Sequence, residues 1–566
     1  MSHSRIGPDD LRRTDETTTE GDHRTSDVDI EKSAPPSDDE TSGSSVSLGQ
    51  VEPSREQSPG DRPRITRSIS EVRDGIESRR DIEIGQPLEK EPTPRRLADP
   101  DLVTFDVDDP HNPKDWSFGK KWAAVAVVSM FTFISPVSST MTAPALNSIG
   151  KELDITSEFE KQLSLSIFVL GPLLLGPLSE LYGRVIVLQL ANLFYLFFNL
   201  GCGLCHTKAQ LIIFRFLAGF GGSAPLAIGG GVLSDLFTAE ERGKAMGAYS
   251  LAPLLGPAVG PIAGAFISEN TSWRWIFYAT TIADAVIQFA GLFLLQETYT
   301  PVLLRWRKEK LIKETGNTAL HTDFDDPDKT ITRTLATAWV RPFRLLFTQP
   351  IVQILALYMM YLYGLMYLVL SSFPTLWTSS YGMSTGIGGL NYISLGLGFF
   401  LGSQLCAPLQ DRIYARLKRR YNVTVGRPEF RLPMMVPGAL LIPIGLFIYG
   451  WTAQYRTLWI APDIGVVVYT TGVIIGFQCI QGFLVDTYTR YAASAVAAAT
   501  VLRSLAGFGF PLFAPSLYDR LQYGWGNSLL AFVGMIIGWP APILLWIYGP
   551  RLRAKSPFAA GPGPRG

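Results

Sequence analysis

The chain has 566 residues, equal numbers of acidic and basic side chains, 47% hydrophobic residues and only 18% charged ones. A soluble chain carries about 25% charge, and here the charges crowd into residues 1–120 and a few short segments while the rest is a succession of apolar runs. The zero net charge thus averages two unlike regions and gives no footing for nucleic acid, since no basic stripe with interleaved aromatics occurs outside one loop.

Residues 1–110 are rich in Ser, Thr, Asp, Glu, Arg and Pro and nearly free of aromatics. Such a segment buries too little apolar area to offset its ordering entropy, so a disordered tail is expected. No charged start followed by a short apolar run marks a cleaved signal peptide, which leaves the first span as the insertion signal. The stretch RITRSISEVRD, residues 64–74, sets serines beside arginines. Composition alone supports a solvated tail, with a kinase-regulated tail as the alternative.

A hydrocarbon core about 30 Å thick needs roughly 20 apolar residues per helix. Runs of that kind predict spans near 120–142, 161–181, 185–205, 209–236, 243–267 and 274–296, forming a half over 111–296. A charged linker, 297–345, follows. Six more spans fall near 349–376, 386–409, 432–451, 459–485, 490–515 and 526–548, forming a half over 346–550 with a tail at 551–566. The expected class is an all-α membrane protein of 12 transmembrane helices in two pseudo-symmetric six-helix halves.

Lys and Arg concentrate in alternate loops: Arg184, then Arg242 and Lys244, then Arg412, Arg416 and Lys418 to Arg420, with Arg305, Arg307, Lys308 and Lys310 in the linker. Basic loops stay inside, so both termini and the linker are expected in the cytoplasm. Asn270-Thr271-Ser272, a glycosylation sequon, then falls outside.

The four cysteines, Cys202, Cys205, Cys406 and Cys479, lie in apolar stretches, and no second pair completes a metal site. They read as membrane packing rather than a metal site. None of the five histidines falls well inside a span, and HExxH and Walker spacings are absent. An enzyme and a directly ATP-driven pump are therefore excluded for this chain alone, and no cofactor or metal is called for.

The halves echo each other. GPLLLGPLSELYGR at 171–184 and GSQLCAPLQDRIYAR at 402–416 both lead from small residues and a proline to an acid and then an arginine. Two related halves imply a binding site at their interface near the midplane, reached alternately from each side.

Three segments between about 112 and 550 resemble the major facilitator superfamily. Gly176 to Arg184 is similar to its signature loop between the second and third helices, with Gly176, Glu180, Gly183 and Arg184 in place. The resemblance implies a latch between Glu180 and the start of the eleventh helix that holds the outward-facing state. Leu181 and Val185 stand where basic residues are usual, leaving the latch weaker or completed by Arg242 or Arg490. Arg215 resembles the family's fourth-helix arginine, to which proton coupling is ascribed; snorkelling to the outer surface is the alternative. Gly247, Gly256, Gly260-Pro261 and Gly264 resemble the fifth-helix signature of antiporters, with Ala265 replacing the last Gly. Glycines on one face permit close helix contact, and the signature implies a sealed, leak-resistant interface.

Asn112 to Ser117, Trp273 to Phe277 and Glu297-Thr298-Tyr299 narrow the resemblance to the fungal twelve-helix drug:proton antiporters, which export drugs, polyamines or secondary metabolites. This implies a proton-coupled exporter, working as a monomer in a fungal plasma membrane. A non-transporting nutrient sensor and a proton-coupled importer are the alternatives.

Tyr358, Tyr361 and Met366 in the seventh span suit an amphipathic pocket able to hold a cation or ring. Gln478 and Gln481 share a face of the tenth span, and Asn391 stands in the eighth. Asp284 is the carboxylate placed well inside a span of the first half. Facing the cavity it would be the proton site or the counter-charge of a cation; facing a neighbouring helix it would be structural, with Arg215 as partner. Few fixed charges in the spans favour neutral or cationic substrates.

Overall fold

The computed structural model describes residues 99, 101–106, 109–171, 175–325, 331–423 and 426–559. The expected tail before residue 99, with its serine–arginine stretch, lies outside the described residues, as does the C-terminal end beyond 559. Among the described residues the chain is helical apart from turns and one parallel bridge between Leu102 and His321.

The first half contains α1 (Phe118–Thr140), α2 (Glu158–Ser166), α3 (Leu175–Tyr182), α4 (Arg184–Leu204), α5 (Lys208–Gly222), α6 (Ala224–Leu236), α7 (Ala239–Asn270) and α8 (Arg274–Leu294). The linker holds α9 (Thr300–Thr315) and α10 (Ile331–Thr348). The second half contains α11 (Pro350–Thr375), α12 (Tyr392–Arg420), α13 (Met435–Gln454), α14 (Ile460–Thr487), α15 (Ala492–Gly538) and α16 (Pro540–Lys555).

Ten helical stretches among the described residues are long and apolar enough to cross a membrane. One of them, Thr489–Lys555, is two spans in one. Its α15 runs for 47 residues, which as a straight rod would measure about 70 Å, over twice a hydrocarbon core. The rod is broken at Gln522, whose φ of 57° and ψ of 180° are not helical. The Tyr518 hydroxyl donates to Asn527 Oδ1 at 3.1 Å although the two are nine residues apart, a separation of about 13 Å along an intact helix. The chain therefore reverses there. The α2–α3 segment, linked through a 3-10 turn at Ile167–Leu170, is the remaining span. Twelve crossings result, as the apolar runs predict.

Within the first half α1 packs along α7 and α8, and α4 packs on α5 and α8; in the second, α11 lies on α15 and α14 on α12 and α13. The linker differs from the sequence expectation, which assigned it no helices. Both α9 and α10 are polar enough to escape a search for apolar runs. Gly316, at φ 71°, ends α9 in the left-handed cap that glycine permits. The second tail is also shorter than expected: residues 551–555 continue α16, and Arg553 Nη2 meets Glu429 Oε2 at 3.0 Å.

The residues just before α1 do not hang free. Val103 N donates to His321 O at 2.8 Å and His321 N to Asp101 O at 2.9 Å. Arg307 of α9 pairs with Asp106 at 2.8 Å and with Asp109. The backbone N–H of His111 and the Arg307 guanidinium hold the Asp109 carboxyl below the usual carboxylate range. A lowered carboxyl contributes stability above its unfolded value near 3.9 and loses it as pH falls through the folded value. Limited proteolysis between residues 99 and 117 is thus expected to quicken when pH drops from 7 to 3. Asp109→Asn should cut nearly as fast at pH 7 as the wild type does at pH 3.

The halves meet on one side. Call the side bearing the linker the linker face, and the other the far face. Near the far face Gly386 N donates to Glu269 Oε2 at 2.5 Å, and Gly389 lies so close to Ala265 that a Cβ would collide with it. Deeper in, the Ser139 and Tyr367 hydroxyls are 3.0 Å apart, joining α1 to α11. On the linker face, ion pairs within each half include Arg184–Asp235 and Lys121–Glu241 in the first and Arg431–Asp486 and Arg553–Glu429 in the second. Contacts between the halves thus close the far face.

Candidate functional site

The turn between α3 and α4 is built around one carboxylate. Glu297, just after α8, accepts from the backbone N–H groups of Arg184 at 2.9 Å, Val185 at 3.1 Å, Thr298 at 3.1 Å and Tyr299 at 2.9 Å. It neutralises the otherwise unpaired donors at the start of α4. Gly183 has φ 106°, and a Cβ there would strike this carboxylate, so the turn requires glycine twice over. Arg184 then reaches Ser179 Oγ at 2.8 Å and Asp235 at 3.3 Å. Glu297→Ala should cost about 2 kcal/mol by stranding these donors. Glu297→Gln should fall between, and melting of the purified protein ranks the three.

Glu180, expected to latch onto the start of the eleventh span, is exposed and makes no hydrogen bond or ion pair among the described residues. The side chain of Arg242, one proposed helper, lies outside the described residues.

Arg215, in α5, is 1% exposed. Its guanidinium donates to the carbonyls of Ser138 at 3.0 Å, Ser139 at 3.1 Å, Ser164 at 3.2 Å and Leu165 at 3.3 Å, and to Thr142 Oγ1 at 3.3 Å. It lies 4.8 Å above the Phe168 ring. Snorkelling is thereby ruled out: the side chain turns inward and ties α5 to α1 and α2. Asp284 is fully buried between α8 and α4, accepting from Asn192 Nδ2 at 2.9 and 3.1 Å. It is not ion-paired with Arg215. The two share the polar interior of the first half, where Asn199 links Ser138 of α1 to Thr280 and Thr281 of α8.

The glycines of α7, the fifth span, face α1. A Cβ on Gly256 would meet Pro136, one on Gly260 would meet Thr140 and Val137, and one on Gly264 would meet the Met141 carbonyl. Gly247 has nothing within 4 Å and takes no part. Pro253, Pro257 and Pro261 all lie inside α7.

The pocket residues expected in α11 need correction. Tyr358 and Tyr361 are at most 1% exposed and turn into the second half, Tyr361 donating to Leu530 O at 2.8 Å and Tyr358 lying against Gly538. Their i, i+3 spacing puts them on the face that meets the rest of that half. The face turned to the seam between the halves carries Tyr363 and Tyr367 instead, their rings 4.9 Å apart. Met366 is 6% exposed; Asn391 Nδ2 donates to Gly388 O at 3.2 Å. Gln478 donates to Ser403 Oγ at 3.2 Å, and Gln481 is exposed.

At the seam α15 adds Arg503, whose guanidinium lies 4.9 Å over Tyr363 and 5.9 Å over Phe477. Gly507, one turn on, lets Tyr363 of α11 and Val169 of the 3-10 turn after α2 close around it. No motif marks Arg503 in the sequence. Its place twelve residues into an apolar span was the available signal.

Two six-helix halves, closed on one face and joined around buried polar groups, have the architecture of a membrane carrier. Residues 128–511 match the Major Facilitator Superfamily, and the chain belongs to that family. It is 52% identical over 468 residues to the efflux pump vrtL of Penicillium aethiopicum, covering 82% of this chain and 92% of that protein. It is 43% identical over 468 residues to the efflux pump radE of Floropilus chiversii, covering 81% and 86%. The fold is also that of the proton:xylose symporter XylE bound to 6-bromo-6-deoxy-D-glucose, at TM-score 0.56 and 18% identity, over 76% of this chain and 96% of that one. The chain is accordingly a fungal-type multi-pass transporter and not an enzyme.

Proposed function

We propose that the chain exports small organic molecules across a fungal plasma membrane in exchange for protons, as a monomer, with the linker face and both termini in the cytoplasm. The observation that carries this reading is the contact of Gly256, Gly260 and Gly264 with α1. Helices so close leave no side-chain gap for ions to leak through while the halves rock. The efflux pumps to which the chain is similar support export over import. Asp284 is the proton carrier in this reading: it is buried with amide donors and no cation, and a buried carboxylate needs a neutralising partner. Arg215 supplies the fixed positive charge of the same interior. The exposed Asn270 at the far end of α7 is then external and open to glycosylation, which a glycosidase mobility shift tests.

The decisive experiment is counterflow in proteoliposomes under an imposed pH gradient. Labelled polyamines, azoles and organic acids are offered while lumenal pH is recorded. Substrate moving against protons is expected, with Asp284→Asn losing the gradient drive but keeping substrate exchange. Flux with the proton direction, or full gradient drive in Asp284→Asn, overturns the coupling scheme. Binding without flux moves the reading to a sensor.

A further inference from the structure

The most exposed electrostatic debt in the membrane interior is Arg503. It stands about 16 Å along α15 from its linker-face start at Ala492, roughly mid-membrane. A cation at that depth is costly and is ordinarily paired. Arg503 has no ion pair and no hydrogen bond among the described residues, and its Nε is buried without an acceptor. Contrast Arg215, which satisfies its guanidinium with four carbonyls and a hydroxyl. Arg503 offers as much donor capacity and uses none of it.

Its surroundings are specific. Tyr363 and Phe477 flank the guanidinium with ring centroids 6.0 Å apart, and Tyr367 continues the aromatic wall to Ser139 of the other half. Tyr363, Phe477 and Arg503 are each only partly buried, in a seam whose far face is closed. The Nη atoms make no hydrogen bond among the described residues and, unlike Nε, are not fully enclosed. Such a place offers a planar fork for an acidic oxygen and flat ring faces beside it.

We infer that Arg503, with Tyr363 and Phe477, is the anchor of a substrate site for planar aromatic acids, molecules that carry a carboxylate or an acidic ring hydroxyl on a conjugated ring. The acid's oxygens pair with the guanidinium while its ring stacks along Tyr363 and Phe477. This reverses the preference for neutral or cationic substrates drawn from charge counts, and it rests on the transport reading above.

The test is equilibrium dialysis of the purified full chain in detergent against 2-naphthoate and anthraquinone-2-carboxylate, their neutral amides, and 2-naphthylmethylamine. The acids are expected to bind at least tenfold more tightly than the amides or the amine. Arg503→Gln should lose tenfold or more of the acid binding while leaving amide binding unchanged, and Arg503→Lys should keep part of it. Unchanged melting temperatures check that the variants fold, and the acid-to-amide ratio of the wild type needs no variant. Equal binding of acids and amides, absence of acid binding, or Arg503→Gln binding the acids as well as wild type each overturns the site. Because dialysis needs no flux, acid binding with no counterflow would sink the exporter reading and leave the site standing. Counterflow of polyamines or azoles without acid binding would do the reverse.

Discussion

Gly264→Ala should cut exchange in proteoliposomes by about tenfold or more, while Gly247→Ala, seventeen positions earlier in the same glycine series, should leave it intact. The new methyl at Gly264 would sit on the Met141 carbonyl oxygen. That atom is backbone, so no rotamer change relieves the clash, and α7 must move off α1. Overpacking of this kind costs about 1–3 kcal/mol, and about 1.4 kcal/mol is already tenfold in an equilibrium. The cost falls on a contact that must hold while the halves rock, so transport should drop by about tenfold or more. Gly260→Ala should follow, since Thr140 Oγ1 and the Val137 carbonyl lie 2.6 and 2.8 Å from the added carbon. Gly256→Ala should do less harm, because its 2.6 Å neighbour is the Pro136 side chain and the backbone stands farther off, at 3.2 Å. A Gly247→Ala variant as inactive as Gly264→Ala would detach the series from the α1 contact.

Arg215→Ala is the second large expected loss. Five acceptors on α1, α2 and the turn after α1 converge on this guanidinium. Each hydrogen bond to a charged group is worth about 1.5–3 kcal/mol and the set is not additive. A net loss of about 3 kcal/mol or more is expected, read as a lower melting temperature in detergent with transport gone. Arg215→Lys keeps the charge but offers a point donor where a planar fork spans separate carbonyls, so it should recover part of the stability. If Arg215→Ala melts like the wild type, the guanidinium is not what ties α5 to α1.

The fold was legible because each span announces itself as a run of about 20 apolar residues, and that signal survives even where geometry breaks it, as at Gln522. What escaped has physical reasons. The linker helices carry their apolar residues on one stripe, as with Val340, Phe343 and Phe347 of α10, and average out in a search for continuous apolarity. Residues 99–110 looked like tail because their partners, Arg307 and His321, lie some two hundred residues away in the chain. The inward turn of Tyr358 and Tyr361 escaped for a subtler cause. In α11 both faces are apolar and aromatic, one toward the interior of its own half and one toward the seam. Periodicity therefore cannot separate Tyr358 and Tyr361 from Tyr363 and Tyr367. Arg215 was found because its motif is distinctive, and Arg503 was undervalued because nothing in its neighbouring sequence shows that it lacks a partner. The orientation of Asp284 toward Asn192 was equally beyond reach, since both readings use the same helix.

All four cysteines of the chain are buried. To a water-borne thiol reagent the native protein is therefore close to silent, and paired labels can be introduced without first stripping the sequence of sulfur. One pair across the Glu269–Gly386 contact and another joining Asp235 to Asp486 would report the two faces separately. Opening of one with closing of the other, in the same spectrum, would trace the rocking of the halves directly.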